Sequence, residues 1–500
     1  MPKTRPYLFY DVVLSICSTC YRKVEAKTVF QDGNVYLLKR CPQHGPERVL
    51  IADDIDYYRR CREVFIKPPE MPQVYNTPVK WGCPYDCGLC TDHEQHSCLT
   101  LVEICDYCNL RCPVCYAASG PERRQFRTLP QIEKMLDAVV RNEGHPDVVQ
   151  LSGGEPTMHP DFFTIVEMAK ARPIKHLMVN TNGVRIAQEE DFVKRLADVR
   201  DDFEIYLQFD SFERDPLMQL RGADLRRVRF DALEKLNRHN ISTNLVVTLK
   251  KGLNDHEIGK TIDFALEQPC VRGITFQPIQ DAGRLENFNP ATDRLTLTEV
   301  RRKILEQTNV FRPEDLIPVP CHPDSLAMAY ALKLAGKVVP LTSMIPPEVL
   351  INGAANTILY EQDPAIRTNL FKLFATNHSP RSGAGTLREL LCCLPKVWIT
   401  DAETSTSHVG TDAFARPASA ASPLSPTALS YENIFRIIIM QFIDAHSFDV
   451  RSVKKTCVHI VHPDGRLIPF DTYNLFYRDD LETTRLAPLR QNAELALAAI

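Results

Sequence analysis

Three cysteines in the segment Cys108-Asn-Leu-Arg-Cys112-Pro-Val-Cys115 have a type and spacing suited to iron–sulfur chemistry. Soft thiolate ligands favour Fe–S clusters, and four of them would complete the coordination of a [4Fe–4S] cluster. Three thiolates leave one iron open, where a small molecule can bind. The alternative is a zinc knuckle, which needs a fourth ligand and usually pairs two CxxC turns. The spacing favours the cluster.

Two further cysteine groups precede this loop. Cys83, Cys87 and Cys90 repeat the same spacing and predict a second, auxiliary [4Fe–4S] cluster, with zinc as the alternative. Its fourth ligand could come from Cys98, Cys105, Cys321 or Cys457. Nearer the start of the chain lie two turns that could converge on one mononuclear iron or zinc ion. Their candidate ligands are Cys17, Cys20, Cys41 and His44, with Cys61 as a substitute for the histidine.

Three other cysteines and two histidines are weaker candidates for metal or substrate binding. Cys270, Cys392 and Cys393 are expected to be buried thiols. His93 and His96 follow Cys90 closely; they could contact a substrate or a cluster, but a hydrogen-bonded surface turn is the preferred interpretation.

The regular part of the chain has to position the Cys108 loop. From Leu99 to about Ile279, short apolar segments alternate with amphipathic ones, for example Leu99–Ile104 followed by a helix that Thr128 could cap. Six strands alternating with five helices predict a parallel sheet covered by helices, as an open, partial (β/α)6 TIM-like barrel of the α/β class. In such a sheet the loops at the carboxyl ends of the strands form the site.

Other polar residues are expected at those carboxyl ends. Leu151-Ser-Gly153-Gly154-Glu155-Pro follows the second strand, and two glycines allow the backbone to approach a ligand closely. Asn182 follows the third strand, and Gln208, Asp210 and Ser211 follow the fourth. Alone, these are also ordinary turn and cap residues. Thr248 and Gln277, on later strands, are expected to line the core.

Composition limits the class of protein. The 500 residues carry a net charge of −4, 44% hydrophobic and 24% charged residues, which is typical of a globular protein. The balance argues against broad, charge-driven binding to nucleic acid. Seventeen cysteines are too few for a disulfide scaffold of this length, and no secretory signal or apolar run of spanning length is visible. We therefore expect a cytoplasmic protein with reduced thiols, peripheral to a membrane if its substrate is a lipid.

Four parts are expected along the chain. Residues 1–75 form the CxxC/CPxH metal module, and residues 76–98 the segment of the auxiliary cluster. Residues 99–290 form the core with the Cys108 loop. Residues 291–500 form a mixed, largely helical substrate or auxiliary region, in which the Ser/Ala/Pro-rich stretch 404–428 is expected to be a mobile loop. The apolar residues of 325–351 are expected to be helical core or, alternatively, an apolar groove.

The CxxxCxxC loop and the Gly-Gly-Glu segment together resemble the radical S-adenosylmethionine (SAM) superfamily. The resemblance implies that Cys108, Cys112 and Cys115 hold the SAM-binding [4Fe–4S] cluster. It also implies that Gly153, Gly154 and Glu155 meet the amino group of SAM, and that Asn182, Gln208, Asp210 and Ser211 contact SAM. One-electron reduction then cleaves SAM to methionine and a 5′-deoxyadenosyl radical, which abstracts hydrogen from an unactivated C–H bond.

A narrower group shares more of the chain. Trp81-Gly-Cys83-Pro-Tyr-Asp-Cys87-Gly-Leu-Cys90, the Cys17/Cys20/Cys41/His44 module, Cys321 and the Cys457-Val-His-Ile-Val-His-Pro-Asp-Gly-Arg block are similar to tetraether lipid synthases and class D radical SAM methylases. There are departures. That group usually has Thr-Asn-Arg where this chain has Cys105-Asp106-Tyr107, and it tends to have cysteines at the positions of Thr456 and Asp471.

Three functions follow from these patterns. The first is C–C bond formation, by methylation or coupling, on a pterin-like small molecule, with electrons from a donor such as flavodoxin or ferredoxin. The second is coupling of lipid chains. The third is a non-catalytic Fe–S electron carrier or scaffold, which the Gly-Gly-Glu segment disfavours because a scaffold needs no SAM contacts. No catalytic acid, base or hydrogen donor can be selected from the sequence.

Overall fold

An antiparallel sheet opens the chain in the computed structural model, which describes residues 5–65, 68, 70–334, 337–343, 345–353 and 433–498. Four strands pair in chain order, and one helix follows them. Asp54 caps that helix by accepting a hydrogen bond from the backbone N–H of Tyr57 at 2.9 Å. The elements are β1 (Leu8–Ile16), β2 (Lys23–Gln31), β3 (Asn34–Cys41), β4 (Gly45–Ala52) and α1 (Ile55–Glu63).

The middle of the chain alternates strands and helices, as the sequence pattern predicts. Its elements are β5 (Leu99–Cys105), α2 (Leu129–Glu143), β6 (Val148–Gly153), α3 (Phe162–Lys170), β7 (His176–Thr181), α4 (Val184–Gln188), α5 (Glu190–Asp198), β8 (Phe203–Gln208), α6 (Arg214–Arg221), α7 (Arg226–Arg238), β9 (Thr243–Leu249), α8 (Ile258–Glu267) and β10 (Val271–Pro278). The short helices α4 and α6 were not predicted, since neither spans enough residues to show a 3.6-residue period clearly.

The last part of the chain mixes both kinds of element. It contains α9 (Leu297–Gln307), β11 (Ile317–Pro318), β12 (Leu326–Leu334), β13 (Lys337–Pro340), α10 (Pro347–Gly353), β14 (Ile434–Met440), α11 (Val450–Lys454), β15 (Val458–Val461), β16 (Leu467–Pro469), α12 (Phe470–Thr472) and α13 (Ala487–Ala498). Two short π-helices, Tyr473–Tyr477 and Glu482–Leu486, lie between α12 and α13.

The large sheet is an α/β sheet, which confirms the predicted fold class. Its strand order is β11-β12-β14-β10-β9-β8-β7-β6-β5-β15-β16. The six predicted strands, β5 to β10, are parallel neighbours, and β15 and β14 extend this parallel set at its two sides. Outside them, β12 and β16 are antiparallel. The late strands therefore complete the sheet that the middle of the chain begins.

Helix α2 shows how the sequence builds this core. Ile132, Met135, Leu136 and Val139 lie on its buried face with at most 2% exposure, and the spacing is that of one helix face. Thr128 and Gln131 form a capping box at its start. Burying a Val, Leu, Ile or Met side chain contributes about 1.5–3 kcal/mol, so this face anchors the helix to the sheet.

Some expectations for the C-terminal part were wrong. Leu326, Met328 and Leu332 belong to strand β12, not to a helix, and are 6% exposed or less. A short apolar run buried on both faces has no period that separates strand from helix, which explains the error. Residues 404–428, Cys392 and Cys393 lie outside the described residues. None of the described helices has the length and apolar character needed to cross a bilayer.

Candidate active site

A cavity of about 150 Å³ opens at the carboxyl ends of the parallel strands. Its lining includes Cys108, Cys112 and Cys115, together with residues from the ends of β6, β7, β8, β9 and β10. This is the edge at which ligands bind in sheets of this kind. The structure thus brings the three loop cysteines to one cavity, as the sequence analysis expected.

The loop thiols receive hydrogen bonds from the protein. The Sγ atom of Cys108 lies 3.4 Å from the backbone nitrogen of Leu110 and 3.9 Å from Nδ2 of Asn182. Burial raises the pKa of the Cys108 thiol, and also that of Cys112, where nearby Arg221 acts in the opposite direction. N–H donors and a cation near sulfur favour thiolate ligands, which is the chemistry that an Fe–S cluster requires.

Gly153 and Gly154 are required by packing against the cysteine loop. A Cβ atom at Gly153 would lie 2.2 Å from the carbonyl oxygen of Cys105, and one at Gly154 would lie 2.1 Å from that of Tyr107. The backbone N–H of Gly154 donates to the same Cys105 carbonyl at 2.8 Å. The two glycines therefore bring the end of β6 against the loop, a role that the sequence analysis did not foresee.

The carboxylate of Glu155 is fully occupied by the protein. It accepts hydrogen bonds from the hydroxyls of Thr157 (2.6 Å) and Thr181 (2.7 Å), and from the backbone N–H groups of Thr157 (3.2 Å) and Asn182 (2.7 Å). Burial raises its pKa against these donors. The side chain therefore ties the end of β6 to the end of β7.

The predicted SAM contacts after β7 and β8 differ in whether they border the cavity or are bonded within the protein. Gln208 borders the cavity and donates from Nε2 to Oδ1 of Asn180 at 2.9 Å. Asp210 is buried and pairs with Arg221, whose Nε lies 2.7 Å from Oδ2. Ser211 donates to Glu257. Asn182 borders the cavity and donates to Oδ1 of Asn109 at 2.7 Å, which fixes the cysteine loop.

Arginines that sequence reasoning missed reach the same cavity. Arg221, at the end of α6, donates from Nη2 to Oε1 of Gln208 and to Oγ1 of Thr248, both at 2.8 Å. Arg229 is 1% exposed; its Nε and Nη2 have no hydrogen-bond partner among the described residues, although Nη2 lies 3.6 Å from a carboxylate oxygen of Asp210. Burial lowers the pKa of Arg229 to about 10. Arg229 lies on α7, and no sequence pattern around it indicated that its side chain would reach the cavity.

Inside the cavity, polar side chains alternate with apolar ones. Gln277 donates from Nε2 to the hydroxyl of Tyr206 at 3.0 Å. Gln150 is 3% exposed, and its Nε2 lacks a hydrogen-bond partner in the described part of the chain. The apolar lining comes from Leu99, Leu101, Met440, Phe442, Val458 and Phe470. A buried amide without a partner costs free energy, so this arrangement is suited to a ligand with hydrogen-bonding edges.

The N-terminal sheet brings its four predicted ligands together. One ligand atom each from Cys17, Cys20, Cys41 and His44 lies within 4.8 Å of the others. Nδ1 of His44 is 3.5 Å from the sulfurs of Cys17 and Cys41, and the sulfurs of Cys20 and Cys41 are 3.8 Å apart. Cys61, the suggested substitute, is a buried thiol outside this group. Three thiols and an imidazole are the donor set of a tetrahedral metal site.

The Cys83/Cys87/Cys90 segment is held differently. Sγ of Cys87 lies 2.9 Å from Oγ1 of Thr472, and its backbone N–H donates to the hydroxyl of Tyr477 at 3.0 Å. Among the described residues, these three cysteines do not form a group within 4.8 Å. Cys105, one suggested fourth ligand, instead has its sulfur 3.4 Å from the carbonyl oxygen of Glu155.

Cys321 and Cys457 meet at the other end of the sheet. Their sulfurs are 3.3 Å apart and join that of Cys98 in one group. Thr456 and Asp471, where the similar enzymes tend to have cysteines, hydrogen bond to each other at 3.0 Å. Burial raises the pKa of Asp471 to about 7. His93 is buried rather than on a surface turn; its Nε2 lies 3.0 Å from the carbonyl oxygen of Thr456.

Two family profiles match the chain. Residues 102–265 match the radical SAM superfamily, and residues 9–53 match the HMPTM N-terminal zinc ribbon domain. The first match contains the Cys108 loop and most of the parallel strands. The second contains Cys17, Cys20, Cys41 and His44.

The chain is similar to two curated enzymes, and a weaker similarity relates it to one solved structure. The chain is 28% identical to 7,8-dihydro-6-hydroxymethylpterin dimethyltransferase from Methanocaldococcus jannaschii, over 96% of each chain. It is 27% identical to GTP 3′,8-cyclase from Alkaliphilus oremlandii, over 46% of this chain and 68% of that protein. Among solved structures, Streptococcus suis SuiB bound to S-adenosylmethionine is 18% identical with a TM-score of 0.35, covering 42% of this chain and 46% of SuiB.

The resemblance drawn from the cysteine loop and the Gly-Gly-Glu segment is therefore confirmed. The chain carries a radical SAM domain over residues 102–265, with a zinc ribbon domain over residues 9–53 ahead of it, and is a radical SAM enzyme.

Proposed function

We propose that this enzyme methylates a carbon atom of a pterin-like small molecule, forming a C–C bond. The observation that carries the proposal is the single cavity in which the three loop cysteines face buried amide side chains. Full-length similarity to a pterin dimethyltransferase supports the substrate class.

Cys108, Cys112 and Cys115 are the proposed ligands of a [4Fe–4S] cluster. Their thiols border one cavity, and N–H groups and Arg221 lie near the sulfurs, so the donor set fits the cluster. When bound together with SAM, the cluster supplies a one-electron cleavage that yields a 5′-deoxyadenosyl radical. The protein side chains orient the bound molecules and exclude water from the cavity.

The end of β6 and the loop after β7 are the proposed SAM contacts. Gly153, Gly154, Asn182 and Gln208 border the cavity beside the cysteines. Glu155 acts by positioning, since its carboxylate oxygens are occupied by Thr157, Thr181 and Asn182. Asp210 and Ser211 are proposed to act indirectly: Asp210 orients Arg221, and Ser211 is bonded to Glu257.

The polar cavity wall favours a heterocyclic substrate over a lipid. Gln150, Asn180, Tyr206 and Gln277 present amide and hydroxyl groups to the cavity. A heterocycle with hydrogen-bonding groups on its edge can pair with Nε2 of Gln150, which has no partner among the described residues, whereas a hydrocarbon chain would leave it unpaired at a cost of about 1–3 kcal/mol. Leu326, Met328 and Leu332, for which an apolar groove was the alternative to core packing, belong to the core.

The remaining metal sites and partners complete the proposal. The N-terminal group Cys17, Cys20, Cys41 and His44 is proposed to bind one zinc ion, by its donor set and its family match. Cys83, Cys87 and Cys90 remain the proposed ligands of an auxiliary cluster. We also infer a small redox protein such as flavodoxin or ferredoxin as electron donor, and a cytoplasmic location, because the thiol ligands must stay reduced.

The experiment is anaerobic turnover of the reconstituted full chain. SAM with an isotope-labelled methyl group, dithionite and 7,8-dihydro-6-hydroxymethylpterin are added, and products are separated by mass spectrometry. One SAM molecule supplies the 5′-deoxyadenosyl radical and a second supplies the methyl group, leaving S-adenosylhomocysteine, with two electrons from dithionite. We expect 5′-deoxyadenosine together with a pterin that has gained one or two methyl groups. Formation of 5′-deoxyadenosine without a methylated pterin would contradict the substrate class, and no 5′-deoxyadenosine from a fully loaded protein would contradict the reaction.

Replacing a cavity glutamine tests the substrate contacts. Gln150→Leu and Gln277→Leu should lower kcat/KM for the pterin by roughly tenfold, because each removes a hydrogen bond to the ring. SAM cleavage in the absence of pterin should change little. The matched control is Gln491→Leu, on the exposed face of α13. Equal kinetics for all three variants would contradict the proposed orientation.

A further inference from the structure

A buried lysine holds the zinc-ribbon sheet, β1 to β4, against a loop at the carboxyl ends of the parallel strands. Lys39 of β3 is 3% exposed. Its Nζ atom donates to the backbone carbonyls of Ala445 and His446, both at 2.9 Å, and to that of Ile16 at 3.1 Å. Ala445 and His446 belong to the loop after β14. A buried ammonium group needs acceptors in place of water, so Lys39 fixes this loop to the sheet.

Glu47 of β4 extends this contact to a second loop. Its Oε2 atom lies 3.1 Å from Nζ of Lys39, and its Oε1 atom lies 2.9 Å from Nδ1 of His446. The other ring nitrogen of His446 lies 3.2 Å from Oδ2 of Asp281, in the loop after β10. The backbone N–H of Asp281 in turn donates to Oδ2 of Asp444 at 3.1 Å. A continuous chain of polar side chains therefore joins the zinc-ribbon sheet to the loops after β10 and β14.

These two loops form part of the cavity wall. Gln280 and Ala282, on either side of Asp281, border the cavity, and so does Phe442 in the loop after β14. A displacement of either loop would therefore move groups that face a bound molecule. Misplacing such groups by about 1 Å can cost two orders of magnitude in rate, so the contacts of Lys39 and Glu47 bear on the reaction.

A second contact of the zinc-ribbon sheet lies on the opposite side of the parallel strands. The ring of Tyr21 packs edge-to-face on that of Phe476, with 5.9 Å between their centres, and the guanidinium of Arg485 lies 3.8 Å from the centre of the Tyr21 ring. Phe476 belongs to the π-helix after β16, and Phe470, which precedes that helix, borders the cavity. Since β14 and β16 flank the parallel set on its two sides, the zinc-ribbon sheet contacts the cavity wall from both.

The two contacts start from the two metal-binding turns of the zinc ribbon. Tyr21 directly follows the first turn, and Glu47 lies three residues after His44 of the second. Oγ of Ser18, inside the first turn, donates to Oε2 of Glu47 at 2.9 Å. The ligand atoms of both turns lie within 4.8 Å of one another. A tetrahedral metal site would therefore hold the turns, and with them the two contacts, in a fixed relation.

We propose that Lys39, Glu47 and Tyr21 are positioning residues for the substrate, through which the zinc-ribbon sheet sets both sides of the cavity wall. They do not touch the reacting atoms; they act through the loops after β10 and β14 and through the segment after β16. The inference rests on the proposed function, because it takes the pterin as the molecule that this wall holds.

The Cys108 loop has an anchor of its own. Arg284, at the far end of the loop after β10, donates to the backbone carbonyls of Cys112, Ala118 and Ser119, each at 2.8 Å. These hydrogen bonds do not involve the zinc-ribbon sheet. We therefore expect pterin binding to depend on Lys39 far more than SAM cleavage does.

Binding of the pterin to the full, reconstituted chain tests the proposal. Anaerobic equilibrium dialysis gives the Kd for 7,8-dihydro-6-hydroxymethylpterin. We expect it to rise about tenfold in Lys39→Met and about threefold in Tyr21→Ala, because the wall loops are no longer held in place. Zinc content should not change, and 5′-deoxyadenosine formation without pterin should stay within about twofold of wild type. Lys27→Met, on the exposed face of β2, is the charge-matched control and should bind the pterin like wild type. Equal Kd values in all four proteins would overturn the proposal.

Hydrogen–deuterium exchange covers the case in which Lys39→Met does not fold, and it needs no pterin. Glu47→Gln keeps the shape of the side chain but removes the charge that pairs with Lys39. The backbone amides of residues 279–284 and 441–447 should exchange several times faster than in wild type, while those of β6 to β8 stay unchanged. A wild-type chain that binds no pterin would contradict the proposed function and leave this measurement valid. Unchanged exchange in both loops of Glu47→Gln would overturn the proposal.

Discussion

Strand β5 has cysteines beyond both of its ends, and the two ends differ in how open they are. At its carboxyl end, Cys108, Cys112 and Cys115 face a cavity in which Gln150 and Arg229 have nitrogen atoms without hydrogen-bond partners among the described residues. At its amino end, Cys98, Cys321 and Cys457 pack closely against one another. The cysteines at the carboxyl end therefore border space that a ligand can enter, whereas those at the amino end are enclosed by the protein itself.

The largest effects are expected when one thiol is removed at each end of β5. Cys112→Ala should reduce 5′-deoxyadenosine formation to background, because the open cluster loses one of three ligands. Cys457→Ser should leave SAM cleavage detectable in the folded fraction but lower the thermal midpoint by roughly 2–4 °C, since it places a hydroxyl group in a position that is 2% exposed. The measurements are product chromatography and calorimetry under anaerobic conditions.

Cys270→Ala is the control for both variants, because Cys270 is a buried thiol that lies at neither end of β5. If Cys112→Ala lowered only stability, or if Cys457→Ser abolished cleavage while the protein stayed folded, the division of roles between the two ends would be wrong.

A second effect concerns the buried arginine at the carboxyl end. Arg221→Gln should destabilise the fold by about 3 kcal/mol, because the carboxylate of Asp210, 0% exposed, loses its closest cation and keeps only Nη2 of Arg229 at 3.6 Å. The matched control is Arg226→Gln, whose partner Asp224 is exposed and whose loss should cost less than about 1 kcal/mol. Denaturant unfolding measures both. Equal losses in the two variants would show that the buried Arg221–Asp210 pair adds no more stability than the exposed Arg226–Asp224 pair.

Glu155→Gln should have a smaller effect. The amide keeps the shape of the side chain but replaces one acceptor oxygen by a donor, which then faces the N–H of Asn182 or the donors from Thr157 and Thr181. We expect a loss of about 1–3 kcal/mol in unfolding free energy and weaker SAM binding. Glu167→Gln, on the side of α3, is the control. Unchanged stability would mean that these donors find other partners.

The smallest effect is a pH dependence that links the zinc ribbon to the carboxyl-end loops. Burial disfavours the charged ring of His446, but hydrogen bonds to Asp281 (3.2 Å) and Glu47 (2.9 Å) outweigh it and raise the pKa to about 9. A raised histidine pKa stabilises the fold fully below the unfolded value of about 6.5 and not at all above about 9. Stability should therefore fall by about 1–2 kcal/mol across this window.

His446→Gln tests this assignment. The variant should show a flatter stability profile between pH 6.5 and 9, in unfolding curves measured at several pH values. The nearby charges are Asp444, Arg294, Glu47 and Asp281. An unchanged slope in the variant would assign the dependence to another group.

The sequence could predict the part of the fold that repeats. β5 to β10 alternate with amphipathic helices, so period and order identified a parallel α/β sheet, and the CxxxCxxC loop identified its chemistry. The flanking strands β14 and β15 could not be assigned to this sheet, because pairing between residues far apart in the chain leaves no local pattern. Arg221 and Arg229 were missed for the same reason: each lies on a helix and reaches the cavity only through tertiary packing. The meeting of Cys98 with Cys321 and Cys457 likewise depends on which strands become neighbours.

The flanking strands also set the order in which the molecule can be completed during synthesis. β10 ends at Pro278 and β14 begins at Ile434, so more than 150 residues are translated between two neighbouring strands. At about 5–20 residues per second this takes roughly 10–30 s. During that time β5 and β10 lack β15 and β14 as pairing partners. Both the cavity wall at Met440 and Val458 and the thiol of Cys457 arrive last, so the cavity is completed only after the core strands have been synthesised.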